Sequence, residues 1–184
     1  MQVDIIQSSG TTHAYASARV SSGAGIDTID GNAATYWQCT SPAAGGGGTR
    51  DGNLYSTHTF DAARDIDEVT IKMSTSGSTS SGASNNTASG SAKVEWYNGT
   101  VWATVTGSDI SGSCGGDGSF SDSIDTTLTG LGLTGVEKIR AYGYSHTYRD
   151  CNPACGGSEG AETKIYELAA YINIYPYSQV IMFE

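Results

Sequence analysis

No segment of this chain shows a convincing amphipathic-helix period in its apolar residues. They come in short runs rich in Val, Ile, Tyr, Trp and Thr, cut apart by clusters of Gly, Ser, Asn and Asp. Runs of that kind, bounded by turn residues, are the signature of antiparallel strands. The clearest cover residues 54–60, 68–74, 92–97, 101–105, 136–144 and 164–174. Between Trp96-Tyr97 and Val101-Trp102 lies Asn98-Gly99-Thr100, and an Asn-Gly pair flanked by strand residues predicts a tight hairpin, because both residues accept positive φ. Residues 41–48 include four consecutive glycines, and residues 74–91 are almost entirely Ser, Gly, Thr, Ala and Asn. Both read as loops within one pattern of strands.

A chain of 184 residues is long enough for one compact core and too short for two ordinary domains. The expectation is a single domain over 1–184, with 1–20 and 176–184 as terminal extensions or edge strands. The apolar run 180–183 is expected as an edge strand or a contact between copies. With 25 glycines and only 15% charged residues, the composition suits an all-β antiparallel β-sandwich exposed on a surface.

The formal charge of -10, from 19 acidic against 9 basic residues, repels nucleic-acid phosphates and anionic membranes, so neither is expected as a partner. No stretch approaches the ~20 apolar residues of a membrane span. Most of the carboxylates serve solubility, and an excess of them also allows a hard cation such as calcium. The N-terminal Met-Gln-Val-Asp-Ile-Ile lacks the basic and apolar regions of an export signal. A mature fragment with an added Met and a protein released by lysis, as virion proteins are, both fit.

Cys39, Cys114, Cys151 and Cys155 are even in number, and Cys151-Asn152-Pro153-Ala154-Cys155 can close a small turn. The expected pairs are Cys151 with Cys155 and Cys39 with Cys114. Structural zinc favours two tight Cys pairs where this chain has one, and free thiols in a reducing compartment are a further alternative.

The segment Ile26-Asp27-Thr28-Ile29-Asp30-Gly31-Asn32-Ala33-Ala34-Thr35-Tyr36-Trp37 sets two aspartates, an asparagine and a threonine around a Gly turn before a tryptophan. Here the chain resembles the discoidin family, the coagulation factor V/VIII C-type domains, with fucolectins and family 32 carbohydrate-binding modules as lectin relatives. Ile29 to Trp37 match that signature in order and spacing. Further matches follow in order: Thr57-His58-Thr59-Phe60-Asp61 (with Ala62-Ala63 in place of Leu-Gly), Ile66-Asp67-Glu68-Val69-Thr70-Ile71, the hairpin around Asn98-Gly99, Val136-Glu137-Lys138-Ile139-Arg140-Ala141-Tyr142, and Ile165-Tyr166-Glu167-Leu168. Together they span about residues 26–175. The resemblance implies a galactose-binding-like jelly roll. It also implies a structural calcium ion held by side-chain oxygens of Asp30 and Glu167 and by backbone or side-chain oxygens of Asp27, Asn32 and Thr35. The alternative is that Asp30 and Asn32 only hydrogen-bond their own turn.

By their place in this pattern Trp37, Trp96 and Trp102 are expected in the core. Sugar recognition in the family uses loops at one end of the sandwich, and the candidates there are Arg50, His58, His146, Tyr148 and Arg149. The segment 144–150 gathers two donors and two aromatics, whereas His58 sits in an alternating strand and reads better as an ordinary packed or surface histidine. No nucleophile–base pair, metal-protease helix or phosphate loop is visible, and His13, His58 and His146 form no motif. The expectation is a non-catalytic module that binds glycans at a cell or virion surface. The alternative is a structural component (phage capsid decoration, fibre, tail or surface-filament subunit) that uses the same fold for assembly with its own copies or virion partners.

Overall fold

The structure, a computed structural model, describes residues 2–41, 48–80, 86–149 and 159–173. The expected Cys151–Cys155 bridge and the run 180–183 lie outside them. Apart from one 3-10 turn, Gly25–Thr28, the regular structure of the described residues is strand, and every pairing is antiparallel. The strands are β1 (Gln2–Asp4), β2 (Thr11–Ala18), β3 (Val20–Ser22), β4 (Trp37–Ser41), β5 (Gly48–Thr79), β6 (Thr87–Tyr97), β7 (Trp102–Thr104), β8 (Ile110–Gly115), β9 (Ser119–Arg149) and β10 (Glu159–Asn173).

Two very long strands organise the molecule. β5 and β9 pair from Gly48 opposite Arg149 to Ser78 opposite Ser119, and the register slips three times between Thr59 and Glu68. Facing those slips, Gly130, Gly132 and Gly135 have φ of 66, 56 and 66°, a backbone that glycine adopts without a Cβ clash. The ribbon folds over there and makes a sandwich from one sheet. The first leaf holds β2, residues 48–60 of β5, residues 138–149 of β9, and β6, with β7 and β8 beyond it. The second holds residues 119–129 of β9, residues 68–79 of β5, then β10, β4 and β3, with β1 also on β10.

Strict alternation drives the packing. Leu54, Val94 and Ile139 of the first leaf and Ile71, Met73, Ile165 and Leu168 of the second are buried between the leaves. Each contributes about 1.5–3 kcal/mol by the usual area argument. Toward the other end of the ribbon the interior becomes small and polar. A Cβ built on Gly90 would lie 1.9 Å from Thr75 Oγ1, and one on Gly143 would lie 2.9 Å from Thr163 Cγ2. Across the gap Ser41 Oγ donates to the Ser145 carbonyl at 2.9 Å, and Thr163 Oγ1 to the Tyr144 carbonyl at 2.7 Å.

This polar junction corrects the loop expected at residues 74–91. Residues 74–79 and 87–91 are strand, because their glycines, serines and threonines let two backbones approach and hydrogen-bond. Other expectations also change. The Asn98–Gly99 hairpin forms, with Tyr97 opposite Trp102, but only Gly99 has positive φ; Asn98 Oδ1 instead accepts from the amides of Thr100 and Val101. Cys39 and Cys114 are not joined. Cys39 is buried 3.7 Å from Ser145 Oγ, with its thiol pushed up to about 11 by burial, and Cys114 lies on β8 beside Thr79. Trp37 is in the core as expected and Trp96 packs half-buried against it. Trp102 instead lies under the Arg140 guanidinium, 3.9 Å away.

Candidate functional site

Alternation along β9 sends Ser145, Thr147 and Arg149 inward and leaves Tyr142, Tyr144, His146 and Tyr148 on the outward face of the first leaf. Antiparallel register sets Asp51 opposite His146 and Asn53 opposite Tyr144. The Tyr144 hydroxyl donates to Asp51 Oδ1 at 2.7 Å, and His146 Nδ1 lies 2.7 Å from the same oxygen. The phenol and imidazole rings are stacked at 6.2 Å, 16° from parallel. The hydrogen bonds from His146 and Tyr144 hold the Asp51 carboxyl below its usual range. Burial and the Asp51 carboxylate push the Tyr144 phenol up to about 12, so it stays a neutral donor. Tyr148, 37% exposed, extends the row toward the end of the leaf.

Of the five expected ligand residues, His146 and Tyr148 share this face. Arg50 pairs with buried Thr147, on the opposite parity, and donates to the Thr49 carbonyl. Arg149 is buried, its Nε 3.8 Å from buried Glu159. His58 is fully buried, which removes it from any surface ligand, and it belongs to an internal relay. The Gly25 carbonyl can only accept, so Thr28 Oγ1 donates to it at 2.7 Å; Ser56 Oγ must then donate to Thr28, and His58 Nε2 to Ser56. Burial and the neighbouring His13 lower the His58 pKa to about 3, so the ring is neutral and, with Nε2 donating, its Nδ1 accepts from His13 Nδ1.

The outward row continues down the same face as a ladder of rings and cations, a feature the strand reading of 136–144 passed over. Tyr55 and Tyr142 face each other at 4.9 Å, Arg140 lies over both Trp102 and Tyr55, Lys93 over Tyr142, and Lys138 over Tyr97. Glu95, its side chain 10% exposed, ties Lys93 at 2.8 Å and Arg140 at 2.7 Å. Burial alone would raise the Glu95 carboxyl, but hydrogen bonds from Lys93 and Arg140 outweigh it and leave it low. The signal for this row in the sequence is Lys138, Arg140, Tyr142, Tyr144, His146, Tyr148: six ring-bearing or basic side chains at a period of two.

The Asp-Gly-Asn turn closes on itself. Asp30 accepts from the Asn32 amide at 2.8 Å and the Thr35 hydroxyl at 2.7 Å, Asn32 Oδ1 accepts from the Ala34 amide, and Asp27 accepts from the Ala24 amide. Glu167 stands on β10 just past the bulge in its pairing with β5, and the 3-10 turn that precedes Asp30 packs on β10. Among the described residues no three His, Cys, Asp or Glu side chains converge as metal ligands. A cation here would therefore rest on Asp30 and backbone carbonyls more than on gathered carboxylates.

No protein-family model matches the chain, and no curated protein does. Among solved structures it is similar to the family 32 carbohydrate-binding module of AlyQ in complex with 4,5-unsaturated mannuronic acid, at 19% identity over 94% of this chain and 99% of that one, with a TM-score of 0.37. The infectious bursal disease virus Gx strain structure matches at 13% identity over 92% of this chain and 34% of that one, TM-score 0.34. The N-terminal cellulose-binding domain of Cellulomonas fimi β-1,4-glucanase C matches at 14% identity over 80% and 88%, TM-score 0.31.

Proposed function

We propose that the chain is a non-catalytic glycan-binding module of a cell or virion surface, with its site on the outward face of the first leaf. The observation that carries this reading is the stacked Tyr144–His146 pair hydrogen-bonded to one oxygen of Asp51. With Oδ1 occupied, Asp51 Oδ2 and His146 Nε2 are left to meet sugar hydroxyls, while a ring stacks on the apolar face of the pyranose. The site is built on paired strands, so its groups are ordered before a ligand arrives.

A glycan array followed by calorimetry on the best hit tests it. Tyr144→Ala is expected to weaken that hit by roughly tenfold or more, the worth of one lost stacking and hydrogen-bonding group. Tyr166→Ala, on the opposite outward face, is expected to leave it unchanged. A chain that binds no glycan and runs as an oligomer would favour the building-block reading instead. For that reading the relevant observation is the half-strand 119–129, which among the described residues has β5 on one side and no ladder partner on the other.

Structural calcium at Asp27, Asp30, Asn32, Thr35 and Glu167 is a separate proposal, supported by the resemblance of the turn. Its test is the melting temperature in millimolar calcium against EDTA. A rise of several degrees with calcium supports it, and coincident melts remove it.

A further inference from the structure

Six of the basic residues lie elsewhere on a chain of charge -10, yet Lys93, Lys138 and Arg140 gather on one outward face. The carboxylate among them is Glu95, which is largely buried, so the patch has three cations for one acid. Asp51 pairs with His146, six residues up β9 from Arg140, about 20 Å away at strand rise. Glu137 stands on the other parity, beside Gly99. The cations are held in fixed positions by aromatic rings: Lys138 is 5.3 Å from the Tyr97 centroid and Lys93 is 5.7 Å from that of Tyr142. From Lys138 to Tyr148 the face runs ten residues, about 34 Å, long enough for several sugar rings end to end.

We infer that this face takes an anionic polysaccharide: Lys93 and Lys138, flanking Arg140, read its carboxylates, and the outward edges of Tyr55 and Tyr142 line the path of its rings. The inference rests on the glycan-binding reading and adds the class of glycan and a second subsite below the Tyr144–His146 pair. Fixed cations on an aromatic floor favour a charged chain over a neutral one, since each contact is a charge-assisted hydrogen bond made without ordering the protein side chain afresh. The strong negative charge elsewhere restricts where such a chain lies to this strip.

Polygalacturonate and its fully methyl-esterified form share one backbone and differ in charge, so they separate the two claims. The intact chain is expected to bind the acid form roughly tenfold tighter, with the difference shrinking as NaCl rises from about 50 to 500 mM. The double variant Lys93→Met, Lys138→Met is expected to bind both forms alike, at the affinity of the esterified one. Lys72→Met, on the other leaf, is expected to keep the preference. Equal binding of both polymers by the unaltered protein would overturn the anionic subsite and leave the glycan reading standing. Failure to bind either polymer, together with an empty neutral array, would overturn both. Single-stranded DNA held as tightly as polygalacturonate would show a surface that reads charge alone, and would overturn the polysaccharide assignment.

Discussion

The outward faces of the two leaves carry the same kind of pairing and balance it differently. On the second leaf Lys164 lies over Tyr36 and is bound to Glu162, and Lys72 lies over Tyr166 and is bound to Asp125. Each cation there has its own partner acid. On the first leaf Lys93 and Arg140 share Glu95, while Lys138 is held by a ring. A neutralised ladder suffices to tie neighbouring strands together. A ladder with charge to spare has something left for a ligand, and that surplus singles out the first leaf more clearly than any one residue does.

The difference extends inward, and acid offers the largest lever on it. All three histidines, His13, His58 and His146, belong to the first leaf. Buried His58 has its pKa lowered to about 3, well below the ordinary value of 6.5, so between those values the unfolded chain takes up a proton that the folded chain refuses. Stability from this group is therefore complete above about pH 6.5 and falls as pH drops, by up to about 1.4 kcal/mol per unit. Urea midpoints at pH 7, 6, 5 and 4 should show this slope in the native chain and a slope shallower by about one proton in His58→Gln. Equal slopes would mean that the relay from His13 to Gly25 opens before it titrates.

Next in size is the spacing of the leaves beneath the proposed site. Gly90→Val would drive a branched side chain into Thr75 and Thr163, at a cost of about 1–3 kcal/mol or more from overpacking. Gly160→Ala on β10 meets nothing within 4 Å and should change stability by less than about 0.5 kcal/mol. Chemical denaturation of the pair measures how far the polar end of the interior, and the row above it, depends on that one close approach. Similar small losses in both would show that the leaves separate there at little cost.

This junction also marks where the sequence is legible and where it is not. Strands that bury large apolar residues, such as Leu54 and Phe60, Val69, Ile71 and Met73, or Val136 and Ile139, declare themselves by hydrophobicity. Residues 74–79 and 87–91 alternate as regularly, but with Ser, Gly, Thr and Ala, and such a composition reads as loop because the pattern of burial is not a pattern of hydrophobicity. His146 and Tyr148 were found from the local grouping of donors and rings. Arg50, His58 and Arg149 offer the same kinds of donor, and strand parity places them elsewhere. Asp51 escaped notice because its link to Tyr144 and His146 spans more than ninety residues and exists only through the β5–β9 register.

The smallest effect separates the two ladders directly. Glu95→Gln leaves Lys93 and Arg140 facing a neutral amide in a setting where the carboxylate side chain is 10% exposed, so its loss should cost about 1–2 kcal/mol. Glu162→Gln removes the partner of Lys164, but that carboxylate is 36% exposed, and the cost should stay below about 0.5 kcal/mol. The two substitutions are also expected to part on binding. Removing the Glu95 charge raises the surplus on the first leaf and should tighten polygalacturonate binding severalfold at low salt if the rings still hold Arg140 and Lys93 in place. Glu162→Gln should leave binding where it was. A Glu95→Gln variant that loses both stability and binding would show that the carboxylate positions the cations, and that the surplus acts only while the ladder is intact.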